Sequence, residues 1–246
     1  MSALGGPGVS GATSAAPRWR DLWPRRASGL PPGQGRLEVF PRFGVDAGRP
    51  PPTVPTEVEL TVRGDGFETF SLALAELLVV PEVERVHDFH CVATWSRCDL
   101  RWTGIPMATI WERLIAPRVP SPYRLRYAVA RGGDRYRAVL RIDDFLDPSV
   151  LLATALDGAP LDRRHGAPLR LVSPAQYGYK NVKHLVSIEL TESEPASILG
   201  AMEHLRARVA LEERHRTLPG PLLRLAYRST VPIIAMRAER SAADAG

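Results

Sequence analysis

The apolar residues of this chain fall into many short alternating runs, and that pattern most limits what it can fold into. Glu57 to Val62, Phe67 to Phe70, Tyr123 to Ala130 and Arg135 to Ile142 each alternate as a β-strand does. Arg63-Gly64-Asp65-Gly66 joins the first pair and Arg131-Gly132-Gly133-Asp134 the second, and both are hairpin signals. Val150 to Leu156, Leu169 to Val172 and His184 to Leu190 add further strands. Helical patterns within this region are few. Ser71 to Val79 would carry Leu72, Ala75, Leu78 and Val79 on one face, and Met107 to Ile115 is closed by Pro117. No βαβ rhythm appears, so the pattern predicts an α+β domain of mixed, short-stranded sheets.

Chemistry concentrates between Asp88 and Trp102, DFHCVATWSRCDLRW. The alternation from Val83 to Phe89 reads as a strand that delivers His90 and Cys91 at its end, and Thr103-Gly104-Ile105-Pro106 reads as a turn. A thiol placed where a strand breaks into a loop is held by rigid backbone yet faces a cleft. A free cysteine usually packs as a small hydrophobe. As a thiolate it is a soft, anionic ligand suited to a redox metal. Zinc does not fit, because Cys91 and Cys98 have no second close pair to complete four ligands. A hydrolase pairing Cys91 with His165 or His184 lacks a recognisable oxyanion or orienting element.

The balance of 44% hydrophobic and 24% charged residues in 246 suits one core-bearing domain with extensions. Two cysteines make no disulfide framework. Arg25-Arg26 is not followed by the apolar run of an export signal, and no stretch is long and apolar enough to span a bilayer. A cytoplasmic location is the expectation. The net charge of +5 is spread along the chain among acids, without interleaved stacking aromatics, so no nucleic-acid partner is expected. Of the 32 basic residues only Lys180 and Lys183 are lysines. A compact ammonium suits a phosphate as a point contact.

His90-Cys91-Val92, then Trp95-Ser96, then Trp102-Thr103-Gly104-Ile105-Pro106, resembles the cysteine motif of the sulfite oxidase-like molybdopterin-dependent oxidoreductases. His165-Gly166-Ala167-Pro168-Leu169-Arg170-Leu171-Val172, followed by Tyr177-Gly178-Tyr179-Lys180-Asn181-Val182-Lys183, resembles that family's second signature. The resemblance runs from Phe40 to Thr191 and is nearest to the minimal, haem-free members of the methionine-sulfoxide reductase type. It implies a molybdenum-molybdopterin cofactor, with Cys91 ligating the metal and oxygen-atom or two-electron transfer to a small-molecule substrate. It further implies that Arg42 and Phe43 pack on the pterin, that His165 touches the pterin side and that Arg170 contacts the cofactor. Asn181, Val182 and Lys183 would line its phosphate through backbone N–H groups and the ammonium. Cys98 lies outside the motif and is read as structural. The chain departs from the sulfite-oxidising members, since Ser193 to Arg208 lacks their tryptophan and tyrosine.

Three segments are expected. Residues 1–35, rich in Gly, Ala, Ser and Pro, form a poorly ordered tail, with Trp19 and Trp23 as anchors to the domain. Residues 36–195 form the cofactor-binding domain. Residues 196–246 form a basic helical extension, Ala196 to Arg216 and Leu222 to Met236, broken at Pro219-Gly220-Pro221 and Pro232. The extension either folds back on the domain or offers a basic amphipathic surface for a membrane or a redox partner. The competing class is a non-catalytic pterin-fold binding protein that docks through those helices.

Overall fold

Strand β5, Trp95–Pro106, is the backbone of the site-bearing sheet. In the computed structural model, which describes residues 18–44 and 48–243, β4 (Val83–His90) pairs antiparallel along one edge of β5. On its other edge lie β1 (Gly35–Arg36), parallel to its start, and β8 (Leu151–Leu156), antiparallel to its end. Strands β9 (Ala159–Pro160) and β10 (Arg170–Val172) both pair with β8. The second sheet runs β3-β2-β11-β6-β7, with β2 Glu59–Gly64, β3 Phe67–Ala73, β6 Tyr127–Gly132, β7 Arg137–Arg141 and β11 Leu185–Thr191. Only its β11–β2 pairing is parallel among the described residues. The main core lies between the sheets, built from alternating inward residues such as Leu60, Val62, Ile105, Ala128, Leu152 and Ile188. The mixed α+β architecture is as expected.

Residues 103–106 are not a turn. Burial alternates along β5 through Cys98, Leu100, Trp102 and Gly104, and β8 pairs with Gly104 to Pro106. Gly104 serves close approach instead, since a β-carbon there would lie 2.4 Å from the Leu152 carbonyl oxygen. The Ser71 helix shrinks to α1, Leu74–Leu77, because β3 takes Ser71 to Ala73 into its ladder with β2. Leu77 is the helix residue that is buried, while Leu78 and Val79 face solvent. Helix α2 (Met107–Ile110) continues as one wide turn to Ile115, and α3 is Ile142–Phe145.

The extension differs from its reading in both halves. Residues 196–216 are not helical but a run of turns, with short 3-10 segments at Gly200–Met202 and Val209–Leu211. Individual side chains pin it to the domain: Glu203 meets Lys180, Arg206 meets Asp143 and Asp144, and Gln176 Nε2 donates to the Arg206 carbonyl. Helix α4, Gly220–Ala243, runs unbroken through Pro232. Its buried face, Val231, Ala235 and Ala238, rests on the domain, and that packing outweighs the missing N–H of an interior proline. The expected tail lies outside the described residues as far as residue 17. From there Trp19–Leu22 forms a 3-10 turn against α4, and Leu22 is the buried anchor while Trp23 is largely exposed. Among the described residues, no helix is long and apolar enough to cross a membrane.

Candidate active site

Cys91 follows the last residue of β4 and begins the turn into β5. Its N–H donates to the Trp95 carbonyl at 2.8 Å, and its carbonyl accepts from Thr94 N–H at 3.1 Å. Thr94 takes the left-handed conformation (φ +73°) that so tight a reversal requires. Gln34 Nε2 donates to the Cys91 carbonyl at 3.2 Å, and Ser96 Oγ links Gln34 Oε1 (3.1 Å) to His90 Nδ1 (2.8 Å). The side chain is 6% exposed and packs with Leu37, Ala93, Trp95 and Val231. Burial pushes the thiol up to about 12, against the pull of Arg214 and Lys183. A metal entering here must therefore displace a proton.

The thiol stands on the wall of a cavity of about 380 Å³. Arg42, Phe43, Asn181 and Lys183 share that wall, as do Phe40, Phe89, Tyr136, Tyr179 and His184. Lys183 is held at about 7, first by burial and then by the charges of Arg170 and Arg42. Its ammonium reaches the Arg164 carbonyl at 3.3 Å. Gly166 (φ +110°) lets the preceding turn lie against it, since a β-carbon there would sit 2.9 Å from Lys183 Cβ. Asn181 turns its amide inward, accepting from Ser173 N–H at 2.8 Å, and its own N–H donates to Gly178, so its hydrogen bonds hold the loop.

His165, Arg170 and Val182 do not line the cavity. They stand one layer behind it. Val182 is wholly buried in the main core. His165 stacks on Phe40 at 4.9 Å, meets its carbonyl through Nε2 at 3.1 Å and binds Asp162 at 2.8 Å. Burial pushes the Asp162 carboxyl up, but hydrogen bonding and charge from His165 outweigh this and hold it at about 2. Arg170 lies 4.8 Å from the Trp102 ring centroid and between 5.8 and 6.0 Å from those of Phe89 and Phe40. It donates to the His165 carbonyl at 2.8 Å, and burial brings it down to about 9. Its Nε and Nη2 are buried without an acceptor.

Lys180 does not join the cavity. Its ammonium is fully buried, 2.5 Å from Glu203 Oε1 and bonded to the Val139 carbonyl. It is a structural ion pair, unlike Lys183. Sequence reasoning also missed part of the wall. Tyr227, Thr230 and Ile234 reach it from α4, and Leu199 and Met202 from the preceding loop. Only long-range packing brings these residues to Cys91, and no local motif announces them.

A thiol at the mouth of a strand, basic side chains gathered around one cavity and a buried guanidinium short of acceptors define a class of protein. It is an α+β scaffold that takes up an anionic organic ligand beside a sulfur. The chain belongs to the oxidoreductase molybdopterin binding domain family, whose model matches residues 47–199. The family is one of molybdopterin-binding oxidoreductase domains, and its cofactor is molybdenum-molybdopterin. It is 36% identical over 172 residues to the protein-methionine-sulfoxide reductase catalytic subunit MsrP of Xanthomonas campestris pv. campestris, covering 63% of this chain and 53% of that protein. It is 33% identical over 137 residues to the uncharacterized oxidoreductase YuiH of Bacillus subtilis, covering 56% of this chain and 67% of that protein. The match thus spans about half the length of the MsrP relative. Among solved structures, the sulfane dehydrogenase SoxCD from Paracoccus pantotrophus aligns over 83% of this chain and 62% of that one. Its TM-score is 0.51 at 17% identity, a likeness of fold alone.

The residues present fit the family's cofactor. Unpaired N–H groups on Arg170 and the depressed Lys183 are what a site short of negative charge looks like. A phosphate-bearing ligand supplies that charge.

Proposed function

We propose that Cys91 ligates molybdenum and that the protein transfers an oxygen atom or two electrons to or from a small substrate. The observation that carries this reading is a buried thiol sharing one cavity wall with Arg42 and the depressed Lys183. When bound, the cofactor supplies two-electron redox chemistry at the metal. The chain's own residues do the rest. Cys91 gives up its proton and presents the thiolate from a turn fixed at both carbonyl and N–H. Lys183 and Arg42 hold the anionic end of the ligand, and Arg170 supports it from behind Phe40. Tyr227, Thr230 and Ile234 keep bulk water from the thiol. Burial pushes the Tyr227 phenol up, with Arg214 pulling the other way, so it keeps its proton as a donor.

A sulfoxide is the substrate class proposed first, from the name of the MsrP relative. Its sulfur would accept two electrons, and its oxygen would leave as water with two protons. Metal analysis of protein from a molybdenum-replete host, followed by assay with sulfoxides, N-oxides and sulfite against dye donors or acceptors, tests the reading. Protein without molybdenum from such a host would sink it. A cytoplasmic compartment belongs to the same proposal, resting on two free thiols, Cys91 and Cys98; fractionation with the periplasmic markers would overturn it.

One observation favours the second reading, a docking surface on the extension. Leu222 and Leu225 of α4 are 74% and 82% exposed, a pattern that suits contact with a membrane or redox protein. Cofactor-loaded protein inert to every substrate of the panel would favour the non-catalytic binder.

A further inference from the structure

Arg214 is wholly buried beside the cysteine turn and is held from every side. Its Nη1 donates to the Val92 carbonyl, the residue after Cys91. Its Nη2 donates to the Pro32 carbonyl at 3.3 Å and its Nε to Glu212 Oε1 at 3.2 Å. Its guanidinium carbon lies 4.9 Å from the centre of the Tyr177 ring. Glu212, in the left-handed conformation (φ +54°), also accepts Arg224 of α4 through two bonds of 2.7 and 2.5 Å. Burial pushes the Glu212 carboxyl up, but these two arginines bring it below its ordinary value.

The N-terminal segment closes on this group. At Gly33 (φ +71°) a β-carbon would lie 2.6 Å from Arg224 Nε and Glu212 Oε1 and 2.9 Å from Arg214 Nη2. One side chain therefore ties together the cysteine turn, residues 32–34, the loop at 212–214 and, through Glu212, the start of α4. A buried charge and a left-handed glutamate both cost stability. Apolar packing would hold four segments together at less cost. What it cannot do is place charge. Two guanidiniums and one carboxylate leave one net positive charge, and Arg214 Nη1 brings it to the carbonyl of the residue that follows Cys91.

We infer that Arg214 is a positioning residue for the Cys91 thiolate: it fixes the turn that aims the sulfur and, with Glu212 and Arg224, sets a net positive charge beside the metal–sulfur bond. This rests on Cys91 being the metal ligand. A fixed positive charge favours the more reduced state of the metal, so its removal lowers the reduction potential.

The test uses cofactor-loaded wild type, Arg214→Gln, Arg214→Lys, Arg224→Gln and Cys91→Ser. The readouts are molybdenum content, the sulfur-to-metal absorption band and the metal's potential from a redox titration followed by paramagnetic resonance. Arg214→Gln is expected to lower the potential and shift the band, and Arg214→Lys to restore most of the potential without the original band. Arg224→Gln removes one charge from a side chain that is 43% exposed, and it is expected to lower the potential by less. A wild-type band and potential in Arg214→Gln overturn the inference. If that variant does not fold, an unmoved potential in Arg224→Gln overturns it. A wild type without the band, or a Cys91→Ser protein that keeps it, instead refutes the ligand assignment.

Discussion

Lys180 and Lys183 stand three positions apart in one motif, and their environments give them opposite roles. Lys180 has a carboxylate at 2.5 Å, whereas Lys183 faces the cavity among cations. Lys183→Gln is expected to weaken cofactor retention about 10- to 100-fold, the value of a charge-assisted hydrogen bond, measured as molybdenum retained after dialysis. The sign of its pH effect follows from its depression from 10.5 to about 7. Between those values the unfolded chain carries a proton that the folded cofactor-free protein lacks, so this group's contribution to stability rises with pH across that window. Denaturant titrations of wild type and Lys183→Met at pH 7 and pH 10 should show a stability change that is more positive in wild type than in the variant, the difference being the part due to Lys183. Binding of the cofactor at pH 8 should protonate Lys183 while Cys91 gives up its proton, so Lys183→Met should release about one proton more than wild type on binding, visible in calorimetry as heat that depends on the buffer. Cys91→Ser is expected to lose turnover to background and the sulfur-to-metal band, with a melting temperature near wild type. Cys91 and Lys183 could be picked out from their motifs. The layering of Arg170 and His165 behind Phe40 could not, because it depends on which aromatic rings the two sheets bring together.

The elements were read best where a two-residue period met a turn signal, as at β2–β3 and β6–β7. They were read worst where local pattern and tertiary demand diverged. Gly104-Ile105-Pro106 carries turn residues, yet the ladder to β8 claims it. Residues 196–216 carry helix formers, yet the buried ammonium of Lys180 holds Glu203 in place and the chain follows its anchors. Lys180→Met would leave that carboxylate buried without its cation. It should cost about 3–5 kcal/mol, or roughly 6–20 °C in melting temperature. Lys180→Met with Glu203→Leu should recover part of the loss. A Lys180→Met protein that melts as wild type but loses cofactor would instead return Lys180 to the phosphate.

At the scale of the whole molecule, α4 has two jobs on two faces. One face packs Val231 against the Cys91 cluster and lends Tyr227, Thr230 and Ile234 to the cavity, while the other exposes Leu222 and Leu225. Deleting residues 220–246 should therefore release the cofactor as well as any partner, so truncation cannot separate docking from catalysis. Leu222→Gln with Leu225→Gln can. It should leave metal content and dye-linked turnover at wild-type level and abolish partner or vesicle association, measured by co-sedimentation. The chain's own order of residues determined the strands, the family and the sulfur, because alternation, turn chemistry and short motifs are local and survive without a fold. Which cations reach the cavity, which lysine is consumed by an ion pair and which distant helix roofs the thiol were decided only by tertiary structure. Those outcomes depend on contacts between segments distant in sequence, 23 positions for Lys180 and Glu203 and farther for Cys91 and α4, where burial and charge balance leave no local trace.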